Sequence, residues 1–112
     1  MLQHAQLRDP PAFLDATVAG IEGLAEAGVV HSDLSPFNIL VYEESPWFID
    51  LAAGIRVDRL GFPAWVRLTE AMRALEKGLG ALGRYFRRYD LELDAADILA
   101  RTQKGIDRFG VL

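Results

Sequence analysis

Leu68, Met72, Leu75, Leu79, Leu82 and Phe86 follow one another at steps of +4, +3, +4, +3 and +4. That rhythm holds one apolar face in register through about five turns of helix. A stripe of this length needs apolar cover along all of it, so the rest of the chain must fold onto it. With 112 residues there is enough chain for one core and one domain. Pro63 suits the first turn, and the spacing predicts a long helix over about 63–88.

Two further helices and a hairpin are legible around it. Asp9-Pro10-Pro11 is an N-cap followed by first-turn prolines. Leu14, Val18, Ile21 and Ala25 then make a second apolar stripe, and Gly28 supplies the stop, giving a helix over about 10–27. Asp94, with Asp97 three residues on, resembles a capping box and predicts a last helix over about 94–108, with Ile98 and Leu99 on its apolar face. Between the first two helices, the apolar runs Ile39–Tyr42 and Trp47–Ile49 flank Glu43-Glu44-Ser45-Pro46, which reads as a β-hairpin over about 39–49 with a four-residue turn.

Composition narrows the function. The net charge of −4 is no footprint for nucleic-acid binding, and the cluster around Arg84, Arg87 and Arg88 reads as a solvated helix face. The absence of cysteine excludes disulfides and thiolate zinc sites, and two histidines make a His-rich metal centre a poor expectation. No window approaches a membrane span and the first residues do not form a signal peptide, so a cytoplasmic location is expected. Gly78-Leu-Gly80-Ala-Leu-Gly83 spells a phosphate-loop fingerprint, but the leucine stripe runs straight through it. Its N–H groups are then used inside a helix, and its small residues are expected to let another helix approach closely.

The polar residues that remain are concentrated between Val29 and Asp50, in "VVHSDLSPFNILVYEESPWFID". A hairpin brings its two open ends, Asn38 and Asp50, close together. Magnesium uses hard oxygen ligands and often takes only one or two from the protein, which Asn38 and Asp50 can supply. Phosphoryl transfer also needs a carboxylate to orient the acceptor and take its proton, and Asp33 on the same loop is placed for that. His31 is expected to be a hydrogen-bonded residue holding the loop, and Ser35 and Pro36 are turn formers by default. Each polar residue alone is also what a capped turn or a strand end would show. The ordered set H-x-D-x-x-x-x-N, strand, turn, strand, Ile-Asp favours a site.

These residues resemble the catalytic loop and metal-binding Asp of protein-kinase-like enzymes. Within that superfamily "HSDLSPFNIL" and "FIDLAAGIRVD" resemble the RIO kinases, where Ser replaces the usual loop Lys and the usual Asp-Phe-Gly is absent. "LRDPPAFLDATVAGIEGLAEAGVVH" and "LGRYFRRYDLELDAADIL" are similar to the same family, so the resemblance covers nearly the whole chain. It implies an α+β, mainly helical fold, a kinase-like C-lobe over residues 1–112 whose small β-hairpin carries the catalytic loop, 31–38.

The resemblance further implies an ATP-dependent serine/threonine protein kinase or ATPase. Asp33 is then the catalytic Asp, and Asn38 and Asp50 are metal ligands for Mg2+, with Mn2+ as the substitute. Ser35 joins them in the nucleotide site, and Asp50 takes a second role as phosphoacceptor. Expected partners are ATP, a protein substrate and, by family, a pre-ribosomal particle. The family's Gly-rich loop and strand Lys precede the catalytic loop, but the thirty residues before His31 contain no lysine. The chain is expected to begin past the inter-lobe hinge, to need an N-lobe partner, and to self-associate through the uncovered cleft. Lys77-Gly78 stands where the family tends to show Arg-Asp. The competing expectations are a non-catalytic interaction module and a small-molecule phosphotransferase lobe of the aminoglycoside or choline kinase type.

Overall fold

The computed structural model describes residues 1–49, 55–56 and 64–107. Three helices, α1 (Pro10–Glu26), α2 (Ala64–Phe86) and α3 (Ala95–Asp107), carry most of the structure. Four short strands, β1 (Val29–Val30), β2 (Ile39–Tyr42), β3 (Ser45–Phe48) and β4 (Ile55–Arg56), form two separate antiparallel pairs, β1 with β4 and β2 with β3. The fold is α+β and mainly helical, as the sequence implies.

Helix α2 is the axis on which the rest is built. Leu68, Ala71, Leu75, Leu79, Leu82 and Phe86 are all buried. Phe86, at its C-terminal end, meets Phe13 of α1 at 6.4 Å between ring centroids. Helix α3 closes the bundle by packing on both α1 and α2, and a Cβ at its Gly105 would lie 3.3 Å from that of Ala25, so the two backbones approach closely there. Among the described residues, the buried polar side chains Thr17, His31 and Thr102 sit in or beside this core. The two threonines donate to the carbonyls of Phe13 and Ile98 one turn back, which removes the cost of burying their hydroxyls.

The caps follow from side-chain chemistry. Asp9 accepts from the Ala12 N–H at 3.2 Å and so caps α1. Gly28 stands at φ 86°, where a Cβ would be strained, and turns the chain from α1 into β1. Asp94 accepts from the Asp97 N–H at 3.0 Å. The Asp97 carboxylate, which the capping-box reading would send back to residue 94, instead pairs with Arg101 at 3.3 Å one turn on; an aspartate is one methylene short of the residue that favours the box.

The hairpin differs from expectation at its turn. Ile39 pairs with Phe48, Leu40 with Trp47, Val41 with Pro46 and Tyr42 with Ser45, so the connection is the two residues Glu43-Glu44 and not four. Both adopt the left-handed region, at φ 50° and 61°, the conformation of a tight hairpin turn whose twist matches the strands. Pro46 is thereby inside β3. The Ile49 N–H donates to the Asn38 carbonyl, and alternation from that bonded pair puts Val41 and Pro46 in a non-hydrogen-bonded pair, where a missing N–H costs nothing.

Candidate active site

The loop from His31 to Asn38 connects β1 to β2 and is held at both ends. His31 is buried. Its Nε2 lies 2.8 Å from the Ile49 carbonyl, and its Nδ1 accepts from the Asp33 N–H at 3.1 Å. An acceptor at Nδ1 and a donor at Nε2 define one neutral tautomer. One ring therefore ties the start of the loop to the end of the hairpin and sets the backbone at Asp33. The hairpin is also seated from below: the Phe48 ring fills the space over Gly20 of α1, where a Cβ would lie 2.9 Å from its Cζ.

Asn38 closes the loop from the other side. Its Nδ2 donates to the Asp33 carbonyl at 2.7 Å and to the Asp33 carboxylate at 3.2 Å. With the amide nitrogen so engaged, Oδ1 is the group Asn38 has left to offer a ligand. Asp33 itself is exposed. The structure thus brings two of the expected site residues together: a carboxylate with its backbone pinned by His31, and an amide that orients it. Ser35 accepts from the Phe37 N–H at 3.2 Å, and its carbonyl accepts from the Asn38 N–H at 3.0 Å, so it shapes the turn that carries Asn38 while lining the groove beside Asp33. Asp50 lies outside the described residues. No group of three or more metal-ligating side chains occurs among the described residues. Asn38 Oδ1 is a hard oxygen of the kind magnesium takes, and it suits a site completed by a further carboxylate, phosphate and water.

The family model for the RIO domain matches residues 2–98. The chain belongs to the RIO family. Its membership is that of an atypical kinase or ATPase family, and the H-x-D-x-x-x-x-N loop is where this RIO chain keeps its polar residues in mutual contact.

Gly78 explains how the RIO loop meets the core here. A Cβ on it would lie 2.6 Å from the Leu34 carbonyl oxygen and 2.8 Å from the Leu34 Cβ. The small residues of the glycine run were expected to admit another helix. What they admit at Gly78 is the loop from His31 to Asn38, because Leu34, buried in the same cluster as Leu75 and Leu79, is the loop's own anchor in the core. The whole run lies within α2.

Two features escaped the sequence reading. The outer face of the hairpin exposes Leu40, Tyr42 and Trp47, which line a cavity of about 480 Å³ with Met1, Phe48 and Ile49. The strand alternation 40, 42, 47 carried that signal, but both faces of the hairpin are apolar and the pattern alone does not say which is buried. Second, Lys77 and Arg84 of α2 line a groove of about 340 Å³ with Asp33 and Ser35. Their seven-residue spacing puts both on one helix face, yet nothing in the sequence says that this face meets the loop.

Proposed function

We propose that this chain is a single lobe, residues 1–112, of a RIO-type ATP-dependent serine/threonine protein kinase or ATPase, working by magnesium-assisted phosphoryl transfer. The observation that carries the reading is the bond of the Asn38 amide to the Asp33 carbonyl and to one oxygen of its carboxylate. A carboxylate that only capped a turn would bond backbone N–H groups of its own loop. This one is oriented by a second side chain whose free carbonyl oxygen suits a cation.

In this reading Asp33 accepts the proton of the attacking hydroxyl as the bond to the γ-phosphorus forms and the bond to the ADP oxygen breaks. Asn38 Oδ1 and the Asp50 carboxylate would hold magnesium, or manganese in its place, and the Ser35 hydroxyl would donate to a phosphate oxygen. The cation when bound neutralises charge on the phosphates. For ATP hydrolysis, the Asp50 carboxylate takes the γ-phosphoryl group as the bond to the ADP oxygen breaks and ADP leaves, and water then cleaves the aspartyl phosphate, releasing inorganic phosphate and restoring the carboxylate. The adenine lies over the exposed Leu40 and Trp47 face, and a polypeptide carrying a Gly-rich loop and a lysine closes the cleft from above. The location is cytoplasmic, with a protein or pre-ribosomal particle as the substrate; no helix of the described residues is long and apolar enough to cross a membrane.

The same exposed face supports a second reading, a binding module that uses Leu40, Tyr42 and Trp47 to hold a partner or a second copy without chemistry. Calorimetric titration with ATP and magnesium separates the two. The enzyme reading expects binding that Asn38→Ala and Asp50→Ala weaken at least tenfold, and phosphoryl transfer that Asp33→Asn lowers by about 10²–10⁴-fold with binding retained. Absence of binding at millimolar nucleotide, in the chain alone and with its closing partner, would sink it.

A further inference from the structure

A cationic groove leads away from Asp33 along α2. Lys77 and Arg84 line its first part together with Asp33 and Ser35. Arg84 and Arg88 line its continuation of about 330 Å³ with Ser35, Phe37 and Gln3. Lys77 and Arg84, seven apart, share one face of α2, and Arg88 follows in the 3-10 turn Arg87–Tyr89 that continues the helix. Two of them lie against identifiable neighbours. The Arg84 guanidinium lies back along the helix beside Gly80, within 3.8 Å of where a Cβ on that residue would stand. Arg88 sits 4.2 Å over the Tyr85 ring and donates to the Gln3 carbonyl at 3.4 Å. None of the three forms an ion pair among the described residues. In a chain of net charge −4, three uncompensated cations beside one carboxylate are a local reversal of sign.

We propose that this groove binds the phosphoacceptor polypeptide and selects acidic residues to one side of the acceptor hydroxyl. The eleven steps from Lys77 to Arg88 rise about 16 Å, the length of about five extended residues. An acceptor placed at Asp33 therefore sets its acidic side chains against Lys77 and Arg84 first and Arg88 last, with the half-exposed Phe37 ring as an apolar contact between them. A polypeptide fits better than a polynucleotide, because the groove ends at the hydroxyl-orienting carboxylate and the overall negative charge opposes a long polyanion. The inference rests on the phosphoryl-transfer reading for its direction, not for the existence of the groove.

The test is fluorescence anisotropy with labelled peptides in which one serine is followed by four Glu, four Gln or four Lys, their reversed-order counterparts, and a ten-nucleotide single-stranded RNA. The full chain is compared with Lys77→Glu/Arg84→Glu, with the remote Arg101→Glu, and with Asp33→Asn, each checked for fold by circular dichroism. Expected are a preference of about tenfold for Glu over Gln that weakens with salt, its inversion toward the Lys peptide in the double variant, and no change in Arg101→Glu. Equal binding of Glu and Gln peptides, no Glu-peptide binding at millimolar concentration, an unchanged double variant, or tighter RNA binding lost in that variant would each overturn the proposal. Preference retained in a chain that fails to bind ATP with magnesium, both alone and with its closing partner, would sink the phosphoryl-transfer reading and leave the groove standing; nucleotide binding without the preference would do the reverse.

Discussion

Glu44 shows how much one side chain does at the edge of this fold. Its carboxylate accepts from the Arg8 and Asp9 N–H groups at 2.6 and 2.9 Å and sits 3.8 Å from the Arg8 side chain. It thereby fastens the hairpin tip to the residues that start α1. The Asp9 N–H, opposed by desolvation and helped by the Arg8 N–H and charge, holds its pKa below the ordinary glutamate value of 4.5. A depressed carboxylate stabilises the fold in full above its unfolded-chain value and ceases to do so as pH falls through the lower folded value. Acid unfolding followed by circular dichroism should therefore show a loss of stability below pH 4.5 that is smaller in Glu44→Gln. Tyr85 is shifted the other way, upward, by burial and then by its hydroxyl contact with Tyr89.

At the scale of elements, the hairpin and α2 each carry an identifiable constraint. Glu43 occupies the left-handed region without the glycine or asparagine that prefers it, at a cost of about 1–2 kcal/mol. Glu43→Asn should raise the stability by about 1 kcal/mol, measured by urea unfolding, with the bonds of Glu44 intact. On α2 the constraint is steric. Gly78→Ala drives a methyl into the Leu34 backbone, which has no free rotation to yield. It should destabilise the chain by about 1–3 kcal/mol and displace Asp33, so that nucleotide-dependent activity falls further than Tm alone explains. The same substitution at Gly23, where no neighbour lies within reach, should be neutral or stabilising.

The molecule as a whole is a helical base with its polar loop on one side and an apolar hairpin face beside it. The core closes tightly over the apolar face of α2, where Leu75, Leu79 and Leu82 are each at 1% exposure or less. Leu40 and Trp47, at 41% and 58%, contribute nothing to that core. Leu40→Glu should accordingly leave Tm within about 2 °C, since surface changes of this kind rarely exceed ~0.5 kcal/mol. Affinity for ATP with magnesium should fall more than tenfold in the same variant. Unchanged affinity would move the nucleotide away from this face.

The helices were legible because periodicity is a local property: the leucine stripe of α2 and the proline start of α1 need no knowledge of a partner. The family was legible for a related reason, since the spacing from His31 to Asn38 is fixed by one loop. The hairpin was legible as two apolar runs, but its turn was not, because Pro46 reads as a breaker until strand pairing places it where no N–H is needed. Tertiary structure alone decided the rest. It set Gly78 against Leu34 and brought Lys77 and Arg84 alongside the Asp33 carboxylate. Contacts between residues forty and more positions apart depend on how whole elements dock, and no local pattern encodes that.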